Sequence, residues 1–203
     1  MIQADWKIIF ERNSAAGNWL EVLFCYPGWQ ALILHRIAHQ LWLRKILLLP
    51  SLIAHFARFL TGVEIHPGAS IGQGAFIDSG TGVTIGETAI VGDYCWIYQD
   101  VTLGGTGDRN CKRHPTLGNN VILGAGAKIL GNIYIGDRVT IGASSVVLND
   151  VPADCKVFGI PGRIVATKDN SVNFLKTDLK SNSLQKLLNR IEILEKRLTN
   201  LSR

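Results

Sequence analysis

Leu117-Gly-Asn-Asn-Val-Ile-Leu123-Gly-Ala-Gly-Ala-Lys-Ile129-Leu-Gly-Asn-Ile-Tyr-Ile135-Gly-Asp-Arg-Val-Thr-Ile141-Gly-Ala-Ser-Ser-Val-Val147 returns an aliphatic residue at every sixth position. That period matches neither the 3.6-residue turn of a helix nor the two-residue alternation of a strand. It fits a short strand and a turn, repeated, so that three hexads close one triangular coil with the aliphatics stacked inside. Reading outward toward the N-terminus, the series includes Ile65, Ile71, Ile77, Ile85, Val91, Ile97 and Leu103. Gly follows the aliphatic at 72, 86, 92, 104, 118, 124, 136 and 142. These glycines are expected to give room, and often an unusual φ, where the chain turns a corner. The register slips by two between Ile77 and Ile85. Between Leu103 and Leu117, eight extra residues must leave the coil as a polar, basic loop. Insertions of this kind mark a binding face.

The flanks are different material. Residues 1–62 carry Trp6, Trp19, Trp29 and Trp42 and apolar runs at helical spacing, such as Ala31, Leu34, His35, Ala38 and Leu41. They predict an α-helical cap, followed by a β-solenoid domain over 63–165 and a polar linker over 166–183. In 184–203, Leu184, Leu187, Ile191, Leu194, Leu198 and Leu201 form an a/d seam of about two and a half heptads. It reads as a short self-associating coiled-coil helix, with an amphipathic helix lying on its own domain as the alternative. The fold class is therefore mainly β, a parallel β-helix with an N-terminal helical cap and a C-terminal coiled-coil helix.

With 47% hydrophobic and 18% charged residues, the chain is not disordered. Cys25, Cys95, Cys111 and Cys155 form no C-x-x-C pair, which argues against a zinc ribbon or a disulfide framework, and no metal site is expected. The N-terminus lacks the layout of a secretory signal. The apolar stretch Leu41–Leu60 is interrupted by Arg44, Lys45, Pro50, His55 and Arg58, which excludes a membrane span. A reduced, cytoplasmic protein is expected. The net charge of +5 suits an anionic ligand, but no basic cluster interleaved with aromatics points to nucleic acid.

From about residue 3 to 165 the chain resembles bacterial serine O-acetyltransferases, a branch of the hexapeptide-repeat acyltransferases. The matching text includes Glu64-Ile-His-Pro-Gly68, Gly86-Glu-Thr88, Val101-Thr-Leu-Gly-Gly-Thr-Gly107, Arg113-His-Pro-Thr116 and Gly159-Ile-Pro-Gly-Arg163. The resemblance implies a left-handed parallel β-helix assembled as trimers, with the active site between neighbouring prisms. There acetyl-CoA, a co-substrate, donates its acetyl group to the L-serine hydroxyl, a step of cysteine biosynthesis. The resemblance also implies roles for individual residues. Glu64 falls on the acidic partner of the catalytic base. Asp78, Arg113 and His114 fall on acceptor-binding positions. Gly105, Thr106, Ala125, Ala143 and Arg163 fall on the region lining the CoA arm.

Two positions depart from the family text. The base, a His in Phe-Ile-Asp-His-Gly, is here Ser79 in Phe76-Ile-Asp-Ser-Gly80. A serine hydroxyl is no base near neutral pH. The Asp that holds the serine ammonium is here Asn13, so a charge-assisted contact becomes an ordinary one, weaker by ~1 kcal/mol. His114 is then either a replacement base or a carboxylate ligand. His66 reads as a corner residue of the coil, His35, His39 and His55 as cap residues, and Cys111 as an ordinary thiol. Three readings follow: an acetyltransferase acting on serine, a CoA-binding homologue inactive on serine or acylating another acceptor, and a trimeric scaffold. The cap is shorter than the domain that joins two trimers in longer relatives, so a homotrimer through the β-helix and the coiled coil is expected. The C-terminal text lacks the Ile ending that inserts into the next enzyme of cysteine synthesis, so no cysteine synthase complex is expected.

Overall fold

The computed structural model describes residues 2–12, 19–107 and 111–167. The chain divides into two units, Met1–Ile164 and Val165–Arg203, and only residues 165–167 of the second are described. Asn13, the heptad seam of 184–203 and the linker beyond 167 therefore lie outside the described residues.

The hexads form a three-sided coil of parallel strands. Face A stacks β1 (Glu64–Ile65), β4 (Thr84–Ile85), β7 (Thr102–Gly104), β10 (Lys128–Leu130) and β13 (Val146–Val147). Face B stacks β2 (Ser70–Ile71), β5 (Ile90–Val91), β8 (Thr116–Leu117) and β11 (Tyr134–Ile135). Face C carries β3 (Phe76–Ile77), β6 (Trp96–Ile97), β9 (Ile122–Leu123), β12 (Thr140–Ile141) and β14 (Cys155–Phe158), and β15 (Arg163–Thr167) follows. The register places like on like: Ile65, Ile85, Leu103, Ile129 and Val147 form one ladder, and Ile77, Ile97, Leu123, Ile141 and Val157 another. All thirteen aliphatics of the period are buried in one core, each contributing about 1.5–3 kcal/mol of transfer free energy. A second inward position lies two residues earlier and holds small side chains, among them Ala69, Ala75, Ala89, Cys95 and Ala127.

The glycine expectation is half corrected. Glycines 72, 92, 118, 124 and 136 are required by room, because a Cβ there would strike the backbone of the next coil. None of the eight has a positive φ. The left-handed residue instead stands three places after the aliphatic, as at Tyr94, Asp100, Asn120, Arg138, Ser144 and Asp154. The turn needs its left-handed step in the middle of the corner, whereas the residue leaving the strand is still extended.

The cap consists of α1 (Ile2–Arg12), α2 (Trp19–Cys25), α3 (Pro27–Leu43) and α4 (Leu49–Thr61). Helix α3 closes the end of the coil: Ala31 and Leu32 join the coil's own core, and Gly28 lies against the Ile77 carbonyl, where a Cβ would collide. Asp5 and Arg36 lock the cap to the coil. Asp5 Oδ2 accepts from Arg36 Nε at 2.7 Å and Asp5 Oδ1 from the Gly74 N–H at 2.7 Å, while the Arg36 guanidinium also donates to Ile71 O and Gly72 O. Helix α4 stops at Gly62, whose φ of 71° turns the chain into β1 and whose N–H donates to Arg58 O at 2.8 Å.

His35 is buried on α3, and burial, aided by the charges of His39, Arg36 and His66, lowers its pKa to about 3. The folded chain thus holds a neutral imidazole where the unfolded chain protonates at the usual value of about 6.5. Protons bind the unfolded state preferentially between those values, so this contribution is intact above pH 6.5 and is lost as pH falls toward 3. His35 is expected to cost roughly 2 kcal/mol of stability between pH 7 and pH 5. Denaturant titrations at the two pH values check this, with His35→Gln flattening the difference.

Candidate active site

The two edges of face A carry different chemistry. At the edge between faces C and A, the two extra residues of the Ile77–Ile85 step are absorbed in one tight corner. Ser79, Gly80 and Gly82 all take positive φ there (58°, 53° and 78°), and the Gly80 N–H closes onto Asp78 O at 2.7 Å. A positive-φ turn of this size is strained for a residue with a Cβ. It leaves Ser79 exposed and Asp78 half-buried. The Asp100 N–H donates to Thr81 O, that of Gly126 to Gln99 O, and that of Ser144 to Ala125 O. These bonds set the corners holding Ala125 and Ala143 above the Ser79 corner along one edge. The final corner, Gly159–Gly162, binds back to Val146 and leads into Arg163.

The edge between faces A and B carries His66, Glu87, Thr88, Gly105, Thr106, Arg113 and His114. The eight-residue excursion leaves after β7 and returns before β8, pinned where the Thr106 N–H donates to Arg113 O at 3.2 Å. Thr88 organises its return. Its Oγ1 accepts from the Arg113 and His114 N–H groups at 3.1 Å each, so its own proton is directed to His114 Nδ1 at 2.9 Å. Nδ1 also accepts from the Thr88 N–H at 3.2 Å. With two donors on Nδ1, the neutral ring carries its proton on Nε2. Nε2 lies beside Gly86 and Gly105, where side chains would collide with the ring.

Electrostatics hold this pair as a cation beside a neutral ring. Glu87 Oε2 accepts from the Arg113 guanidinium at 2.6 Å, and that bond holds the Glu87 carboxyl below its usual range. Burial, then the charges of Arg113 and Lys112, push His114 down. Lys112 donates to His114 O, and burial lowers its pKa. His66 is indeed a corner residue, with Nδ1 accepting from the Gly68 N–H at 3.0 Å and its ring edge-on to Trp42. Its pKa is lowered mainly by burial, and Glu87, Arg113 and Glu64 also act on it. Glu64 stands on the outer side of face A, paired with Arg58 at 3.2 Å beside a groove of about 200 Å³ lined by Ser51, His55 and His66. Among the described residues, no group of three His, Cys, Asp or Glu is placed to hold a metal.

The structure thus separates the sequence-predicted residues. Asp78, Ser79, Ala125, Ala143 and Arg163 follow one edge of face A. Gly105, Thr106, Arg113 and His114 follow the other. Within one chain the two groups of residues do not meet. Glu87 and Thr88, which clamp Arg113 and His114, carry no hexad signal and were not singled out as site residues in the sequence.

A bacterial transferase hexapeptide model of six repeats matches residues 114–149. The chain is 59% identical to the serine acetyltransferase of Synechococcus elongatus, over 99% of its own length and 84% of that relative's. The chain belongs to the serine acetyltransferase family. Among solved structures, soybean serine acetyltransferase complexed with serine superposes with a TM-score of 0.78 at 43% identity, covering 81% of this chain and 68% of that one. The serine acetyltransferase of Brucella abortus in complex with coenzyme A gives 0.79 at 37%, covering 82% and 66%. The hexapeptide repeat and these serine acetyltransferase neighbours make the coil a left-handed parallel β-helix.

Proposed function

We propose that the chain transfers the acetyl group of acetyl-CoA to the hydroxyl of L-serine, in a groove closed by the face-A edges of two neighbouring copies in a homotrimer. The observation that carries this reading is the clamp on Arg113 and His114: a fixed guanidinium and a fixed Nε2–H donor side by side on the extruded loop. A cation and an aligned donor suit the carboxylate and hydroxyl of an amino acid. Corner backbone exposed at Gly105, Thr106 and Ala143 and half-buried at Ala125, with exposed Arg163, suits the CoA arm and its phosphates. In the reaction the serine oxygen attacks the thioester carbonyl, the tetrahedral oxyanion collapses, and CoA leaves as thiolate and takes up a proton. The proton lost by the serine hydroxyl needs an acceptor. His114 Nε2 already holds a proton and its Nδ1 is filled by Thr88, so we assign His114 as a donor to the acceptor or the oxyanion, not as the base. Ser79 stands where the family base stands, so water must take the proton and turnover is slow. The experiment that tests the reading is thiol release from acetyl-CoA, followed with and without L-serine.

Thr88 is a positioning residue in this scheme. Thr88→Val removes the Oγ1 acceptor of the Arg113 and His114 N–H groups, and kcat/KM for L-serine is expected to fall roughly tenfold with the KM for acetyl-CoA unchanged. Thr88→Ser should restore it. Equal losses in both variants would sink the assignment.

A further inference from the structure

Helix α3 and strand β2 border an open cavity of about 550 Å³ that the acetyl-transfer scheme does not use. Its described lining includes neither Arg113, His114 and Ser79 nor any residue placed on the CoA arm. The size falls within the roughly 300–1,000 Å³ of small-molecule sites. Three features of its wall say what it suits. The first is a pair of hydrogen-bond acceptors. His35, 4% exposed, donates to the Ala69 backbone, while its Nδ1 is buried with no hydrogen-bond partner among the described residues. The ring proton is therefore on Nε2, and Nδ1 keeps an unused lone pair, an uncommon state for a buried polar atom. Burial, aided by the charges of His39, Arg36 and His66, keeps this ring neutral. The His39 ring lies 5.6 Å from that of His35, centroid to centroid, with Nδ1 2.8 Å from Pro67 O. A carbonyl only accepts, so the neutral His39 ring carries its proton on Nδ1 and presents Nε2 as a second acceptor. Both imidazoles line the cavity.

The second feature is a cation. Arg36 is committed to the fold, donating to Asp5, Ile71 O and Gly72 O. Arg44, which caps α3, is exposed, lines the same cavity and has no carboxylate partner among the described residues. The third is apolar wall. Ile37, Leu41 and Arg44 follow one another at i, i+4 and i+7 on α3, so the two aliphatic side chains lead along one side of the helix to the guanidinium. We infer that this cavity is a second ligand site, for a small hydroxycarboxylate with an apolar body. The carboxylate meets Arg44, the hydroxyl donates to the imidazole lone pairs, and the apolar body lies on Ile37 and Leu41. A hydroxyl suits the site better than an ammonium, because Arg36 and Arg44 both line it. Serine, with no apolar body, would leave most of the volume empty.

The probe is 3-phenyllactate, titrated against the full chain by ligand-observed NMR. Binding should saturate, and 3-phenylpropionate, which lacks the hydroxyl, should bind roughly fivefold more weakly. L-Phenylalanine, with an ammonium in place of the hydroxyl, should also bind more weakly than 3-phenyllactate. Arg44→Gln should weaken 3-phenyllactate roughly fivefold by removing the charge-assisted contact. His35→Leu should erase the preference for 3-phenyllactate over 3-phenylpropionate with an unchanged far-ultraviolet circular dichroism spectrum. Coenzyme A and L-serine should not displace the probe. No saturable binding of 3-phenyllactate, binding indifferent to Arg44→Gln, or displacement by coenzyme A or L-serine overturns the inference. So does a folded His35→Leu variant that keeps the preference for the hydroxyl. Arg44 is exposed, so Arg44→Gln decides the matter even if His35→Leu does not fold. The readout is binding alone, so a chain that transfers no acetyl group to serine would sink the proposed activity and leave this site standing.

Discussion

Ser79→His is expected to raise kcat for acetyl transfer to L-serine by about 10²–10⁴-fold, the range a positioned general base supplies. The backbone is ready for it. Ser79 already holds a φ of 58°, and His is among the few non-glycine residues enriched in that region. The corner also leaves the side chain exposed, so the longer ring displaces no core residue. By the family resemblance Glu64 would then orient the imidazole, at the expense of its exposed pair with Arg58, which is worth under ~1 kcal/mol. Glu64→Gln should therefore be nearly silent in the parent and cost much of the gain in the Ser79→His background. The KM for acetyl-CoA should stay within roughly twofold, because the interaction added acts in the transition state. A Ser79→His variant no faster than the parent would show that the base position does not limit this chain.

The second large effect is on stability. Asp5 is buried, Arg36 nearly so, and their ion pair ties α1 to α3 and the first coil. Asp5→Ala leaves the guanidinium uncompensated and is expected to cost about 3–5 kcal/mol. For a folded unit of this size that lowers Tm by roughly 10 °C. Replacing both partners, Asp5→Leu with Arg36→Met, should recover part of the loss, because it removes the orphaned charge while the Gly74 N–H and the Ile71 and Gly72 carbonyls lose their side-chain partners. Differential scanning calorimetry of the parent, Asp5→Ala and the double variant would decide it. A double variant no more stable than Asp5→Ala would contradict the orphaned-charge explanation.

How much of this could be read from the sequence depended on whether the signal was local. The hexad aliphatics were legible because each strand contributes one inward position, and the period survives two insertions. Both register breaks fell where the text placed them, and each produced a feature of the site: the Ser79 corner and the Arg113–His114 loop. The role of the glycines was legible only as room, since a six-residue period does not say which corner residue takes the positive φ. Thr88 appeared only as part of the matching text Gly86-Glu-Thr88, and its role was not legible because its partners lie 25 and 26 residues away across the loop. Asp5 meets Arg36 from 31 residues away and Gly74 from 69, so no window of sequence holds both. Leu41–Leu60 shows in the sequence only that it is too interrupted to span a membrane. The structure divides it between the end of α3 and α4 and exposes most of its large side chains. No described helix is long and apolar enough to cross a membrane.

The most direct test of the central claim is thiol release from acetyl-CoA by the unaltered chain, with and without L-serine. Release is expected to depend on L-serine, to be slow beside that of Ser79→His and to be lost in His114→Ala. Release indifferent to L-serine, or faster with another hydroxyl compound, would contradict it.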